Sequence, residues 1–146
     1  MRKLYLVDNS VIQRIHRSMP LASALAALVN TGDLASCLPQ VLEEGYSARN
    51  AEDHRTILDS HNRAKVFLPP DAQIAELAFD LQTRLFKVGR GRAVGVSDLQ
   101  IAATALRYST KTQLVTIVHY DSDFDFLVEV EPNLHAQWIL PPGSID

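Results

Sequence analysis

The sequence predicts an α/β fold with a central parallel sheet and helices on both of its faces. Three observations predict it. Two short runs, 3–7 (KLYLV) and 114–118 (LVTIV), are almost wholly apolar, as strands buried on both faces are. Segments with helical spacing or propensity separate the strand-like runs, which is the alternation that builds parallel sheets. Both runs also lead into an acid, Asp8 and Asp121. Parallel sheets bind ligands beyond the carboxyl ends of their strands.

The elements follow in order. Residues 3–7 form a strand ending at Asp8, and 10–17 a short helix. Residues 21–29 (LASALAALV) are helical by Ala/Leu propensity. Residues 33–37 form a second strand. Pro39 stands where a helix start tolerates proline, and a helix over 40–49 follows. A polar helix spans 51–64, and a strand at 66–68 stops at Pro69-Pro70. From Asp71, the residues Ile74, Leu77, Ala78, Leu81 and Leu85 recur at helical spacing until Gly89 and Gly91. Ser97 to Gln100 reads as a capping box opening a helix that buries Leu99, Ala102, Ala103 and Leu106. After strand 114–118 come a short helix over 124–130 and a last strand over 137–140. Tyr5, Phe67 and Cys37 read as core, and Trp138 as core or interface.

The chain has 146 residues, 47% of them hydrophobic, which suits one domain over 1–146 with ample core material. A net charge of −3 excludes a protein that coats nucleic acid by overall charge. The single cysteine excludes an internal disulfide. Asp8 cuts the first apolar run too short for a secretory leader, and no run reaches the roughly 20 residues of a membrane span. A cytoplasmic protein without membrane contact is the expectation.

Asp8 and Asp121 at strand ends, Asp98 in the first turn of a helix, and Glu43 or Glu44 after the second strand would together make an oxygen-rich site. Clustered carboxylates repel one another unless a cation lies among them. Mg²⁺ and Mn²⁺ prefer such ligands. Each acid alone has a plainer use: Asp8 and Asp98 suit helix starts, and the Glu pair suits a solvated helix. Only as a set do they point to a metal site. Within 81–97 stand Arg84, Lys87, Arg90 and Arg92 and no acid, a candidate track for phosphates, with Arg90 and Arg92 in the Gly-flanked loop leading to Asp98. His119 reads as a structural hydrogen-bonder.

The segments YLVDNS, PQVLEEGYSARN, VGVSDLQIAATA and VHYDSDFDFL resemble the PIN-domain ribonucleases, and among them the VapC toxins of type II toxin–antitoxin systems. The resemblance runs from Leu4 to the closing PPGSID. It implies a three-layer α/β/α domain whose acidic site binds Mg²⁺ or Mn²⁺ and cuts RNA, leaving a 5′-phosphate and a 3′-hydroxyl. It places the catalytic acids at Asp8, Glu43, Asp98 and Asp121, with Asp123 as a further metal-side acid. It sets Ser10 at the hydroxyl position two residues after the first Asp. The Glu43 assignment comes from the register of the resemblance, with Glu44 as competitor, because neighbouring helix positions point about 100° apart. Arg90, Arg92 and Ser10 are the expected RNA contacts. The implied partners are a cognate VapB-type antitoxin, an RNA substrate and a second copy in a homodimer, and the implied outcome is arrest of translation and growth. Two other readings stand beside this one. A receiver or haloacid-dehalogenase-type phosphatase also places an Asp after its first strand, but the phosphatase pattern wants a second Asp where Ser10 stands. A non-catalytic PIN-like interaction module would not need the retained acids.

Overall fold

A computed structural model describes residues 1–145; Asp146, the last residue of the expected domain, lies outside them. Among the described residues the elements run β1 (Arg2–Val7), α1 (Asn9–Ile12), α2 (Met19–Val29), β2 (Asp33–Cys37), α3 (Leu38–Tyr46), α4 (Ala51–Ala64), β3 (Val66–Leu68), α5 (Ala72–Lys87), α6 (Val96–Tyr108), β4 (Gln113–His119), α7 (Asp123–Val130) and β5 (Ala136–Trp138). The strands form one sheet in the order β3-β2-β1-β4-β5, parallel throughout. The chain winds outward from β1 to β3, then returns to β4 on the other side of β1. The gap between β1 and β4 is therefore the switch point where such sheets open a crevice.

β1 explains why its sequence is apolar without alternation. Successive side chains point to opposite faces, and both faces are covered. Leu4 and Leu6 join one core with Val115, Ile117, Leu81, Leu85, Ile101 and Phe124. Tyr5 and Val7 join a second core with Val11, Leu21, Val118 and Ile139. The result is the three-layer α/β/α arrangement.

Local chemistry sets the helix ends. Asp8 caps α1, Ser18 caps α2, Asn50 caps α4 and Asp71 caps α5, each side chain accepting a backbone N–H. Gly89, at φ 76°, ends α5. The Gly89 N–H donates to the Phe86 carbonyl (3.1 Å) and the Arg90 N–H to that of Leu85 (2.8 Å), the pairing of a Schellman motif. That turn starts the loop carrying Arg90 and Arg92.

Four expectations are corrected. The helix expected over 10–17 closes at Ile12 and continues as turns. The helix expected over 40–49 runs Leu38–Tyr46, starting one residue before Pro39. α6 starts at Val96 with Gly95 in the cap position, so Ser97 does not cap it; its hydroxyl bonds to Glu43 instead. Phe67 is 49% exposed, because β3 is a three-residue edge strand that buries Leu68 rather than Phe67.

Candidate metal centre

Asp8 follows the last residue of the central strand. Its N–H donates to the Val118 carbonyl (2.8 Å), which ties the position to the end of β4. Its Oδ2 accepts the Ser10 N–H at 3.1 Å, while Oδ1 is buried without a hydrogen-bond partner. Asp98 enters from the first turn of α6, and Asp121 follows β4 by two residues. The three are brought together: one carboxylate oxygen from each lies within 4.8 Å of the others.

Like charges at this spacing resist ionising together. Burial raises the Asp98 carboxyl to about 8, with Asp8, Asp121, Asp123 and Glu43 adding to it. Burial, and then the charge of Asp121, also raises Asp8 against the hydrogen bonds from Ser10. A site that pushes its carboxyls up and leaves a buried oxygen unpartnered fits a cation, and an all-carboxylate donor set fits a hard one such as Mg²⁺ or Mn²⁺.

Glu43 stands at the same edge, raised by burial and by Asp8 and held by hydrogen bonds from Asn9 and Ser97. Glu44 turns away. Its Oε2 lies 2.8 Å from His61 Nε2, and its Oε1 lies 4.0 Å from Lys65 Nζ, both beyond α3 on the α4 side. Gln40, one helical turn before Glu43, fixes α3 to the sheet: its amide donates to the Val7 carbonyl and accepts the Cys37 N–H. Asp123 is raised by burial, then by Asp121 and Asp8, and its N–H donates to Asp121 Oδ1 at 2.9 Å. Asp125 instead accepts the Trp138 indole N–H at 3.0 Å.

Ser10 was expected to meet substrate. Its side chain is buried, and its hydroxyl accepts the Tyr120 N–H at 2.9 Å and bonds to Asp8. Arg90 is exposed with its guanidinium 4.5 Å from the Phe126 ring centre, and Arg92 is exposed on the same loop. Arg84 leaves the basic track: it pairs with Asp80 (2.9 Å) and Glu131 (3.1 Å) and donates to the Val130 carbonyl. His119 is buried, and burial lowers its imidazole to about 4, so the ring is neutral and its Nδ1 accepts the Asp121 N–H at 3.2 Å. Burial pushes the Cys37 thiol up to about 12, leaving it unreactive.

The sequence hid two contributors at this edge: Ser97, read as a cap, and Gln40, which carries no motif. His119, read as a structural hydrogen-bonder, is one.

A family model described as the PIN domain matches residues 5–128. Ribonuclease VapC21 of Mycobacterium tuberculosis (strain H37Rv) is 31% identical over 140 residues, covering 96% of both chains. Ribonuclease VapC51 of the same organism is 32% identical over 142 residues, covering 97% of both. The solved structure of VapBC-1 from nontypeable Haemophilus influenzae superimposes with a TM-score of 0.71 at 22% identity, over 93% of this chain and 98% of that one. VapBC2 from Rickettsia felis, solved with a DNA fragment from its promoter, gives a TM-score of 0.71 at 18% identity, over 92% and 97%. The two structures show the same fold; the family match and the relatives above 30% identity carry the assignment: the chain belongs to the PIN-domain family, in its VapC group.

Proposed function

We propose that this protein is a Mg²⁺- or Mn²⁺-dependent endoribonuclease, acting over residues 1–146 as one domain and as the toxin of a type II toxin–antitoxin pair. The observation that carries the reading is the Asp8, Asp98 and Asp121 cluster with its unpartnered buried Asp8 oxygen. These three would hold the ion, with Asp123 at their side. When bound, the ion supplies positive charge against the phosphate and eases ionisation of water.

The protein's own residues do the rest. Glu43, held by Asn9 and Ser97, orients the attacking water and accepts its proton. Ser10 donates its backbone N–H to the Asp8 carboxylate, and His119 accepts the Asp121 N–H, so both act as positioning residues. Arg92 and Arg90 meet the substrate phosphates from the loop before α6. In-line attack leaves a 5′-phosphate and a 3′-hydroxyl. The phosphatase and receiver readings lose their ground, since Ser10 stands where a second Asp is wanted and the family match lies elsewhere.

Among the described residues no helix is long and apolar enough to cross a membrane. A cytoplasmic toxin meets its RNA directly, and cutting that RNA arrests translation and growth. Relatives solved as VapBC complexes support a VapB-type antitoxin as partner. The exposed Phe79 and Phe86 on α5 and Met19 and Val29 on α2 offer apolar contact for a homodimer. The test is cleavage of cellular RNA by the purified chain with Mg²⁺, with Mn²⁺ and with chelator. The wild type cuts only with metal, and Asp8→Asn folds but does not cut. Metal-independent cleavage, or full activity in Asp8→Asn, refutes the reading.

A further inference from the structure

A cavity of about 480 Å³ opens directly beside Asp121. Its walls include Gln13, Arg14, Tyr120, Trp138 and Ile145. The volume falls within the ~300–1,000 Å³ of small-molecule sites. Two aromatic rings wall it, meeting edge to face with centres 5.3 Å apart.

Both rings are held in place. The Tyr120 hydroxyl donates to the Ile145 carbonyl (2.9 Å) and accepts the Ile145 N–H (3.0 Å), and the Tyr120 backbone is tied to Ser10. The Trp138 indole N–H donates to Asp125, and its ring packs against buried His119 at 5.0 Å. An aromatic wall fixed before binding loses little freedom when a flat ring stacks on it. Gln13 is exposed at the rim, with an amide able to donate and accept. Arg14 lies 5.2 Å from the Tyr120 ring centre and brings positive charge to the same wall. On the far side of the acids a second cavity, of about 350 Å³, holds Glu43 and Tyr46, but Tyr46 is 88% exposed. The cavity by Asp121 is the prearranged one.

Resting on the ribonuclease reading above, we infer that this cavity is a nucleobase subsite, in which an unpaired base next to the scissile phosphate stacks on Trp138, with Tyr120 as the perpendicular wall beside it. Unpaired bases stacked on aromatic side chains are the common means of holding single-stranded RNA.

Trp138 is the only tryptophan of the chain and lines this cavity, so the intrinsic indole emission comes from this wall. The experiment titrates the full-length protein, with Mg²⁺, using a phosphorothioate-linked oligoadenylate that resists cleavage. Binding is followed by anisotropy of a label on the oligomer and, separately, by Trp138 emission. The oligomer should quench Trp138, adenosine monophosphate should do so more weakly, and ribose 5-phosphate should not. Trp138→Leu should weaken binding roughly tenfold, with Trp138→Phe retaining most of it. Should Trp138→Leu fail to fold, oligomers with one abasic residue, moved stepwise along the strand, make the same test on the wild type, and one position should show the loss. Binding by anisotropy with unchanged Trp138 emission, or no sensitivity to any abasic position, overturns the subsite and leaves the ribonuclease reading standing. No binding and no cleavage of any RNA overturns both.

Discussion

Glu43 and Glu44 are neighbours in α3 with opposite surroundings: Glu43 faces Asp8 and bonds Asn9 and Ser97, while Glu44 lies 2.8 Å from His61 Nε2. One helical step of about 100° separates a group at the acidic edge from a group that ties α3 to α4. Gln40 reinforces the orientation by anchoring the start of α3 to Val7.

Substitution separates the two roles. Glu43→Gln should lower cleavage by about a hundredfold or more while leaving the melting temperature close to wild type. Glu44→Gln should keep most of the cleavage and lose about 2 kcal/mol of stability, since His61 is left with a weaker partner. Single-turnover cleavage and denaturant titration on both variants check this. The reverse ranking in cleavage would move the catalytic role to Glu44.

Proton linkage gives a second expectation. Asp98 ionises near 3.8 in an unfolded chain and at about 8 in the folded, metal-free protein. Between those values the folded state holds a proton that the unfolded state has lost, so stability falls as pH rises. This contribution is whole below the lower value and gone above the upper. Melting of the metal-free protein across that window should show the decline, and Asp98→Asn should flatten it. Binding of Mg²⁺ or Mn²⁺ near neutrality should release protons, read by calorimetry in buffers of different ionisation enthalpy. Proton-free binding would contradict the raised carboxyl.

The arginine loop is tested by salt. Arg92→Ala should weaken RNA binding and make its logarithmic salt dependence shallower by about 0.7, the value for one phosphate contact on a single strand. Arg90→Ala should do the same while also uncovering Phe126. Metal affinity should be unchanged in both. Equal slopes for wild type and both variants would return the two residues to solvent.

An antitoxin that inhibits by placing an Arg among Asp8, Glu43, Asp98 and Asp121 would supply the charge a metal otherwise brings. Metal affinity, measured for the free toxin and for the toxin–antitoxin complex, should then fall on complex formation. Equal affinities would point to inhibition elsewhere on the surface.

Much of this was legible in the sequence because burial leaves plain marks. β1 and β4 lie under two cores, so their residues are apolar without alternation. The acids the structure gathers, Asp8, Asp98 and Asp121, sit just past strand ends or in a first helical turn, where parallel sheets converge. Other features needed the folded partner. Ser10 could be read as a substrate contact only while Tyr120, 110 residues away, was unseen. Ser97 looks like a cap until Glu43 arrives from another helix to take its hydroxyl. Phe67 looks like core in a strand of its composition, and only its place at the sheet edge exposes it. Adjacent glutamates have the same local sequence, and His61 on α4 distinguishes them.

The sheet order also governs when the protein can act. Among the described strands β1 comes first along the chain, yet one of its two neighbours, β4, comes fourth. A growing chain carries Asp8 before Asp98, but Asp8, Asp98 and Asp121 gather only once Asp121 has emerged and β4 has paired beside β1. Any copy truncated before that strand holds scattered, ordinary acids. On the proposed reading, no copy can cut RNA before β4 has been made and has paired beside β1.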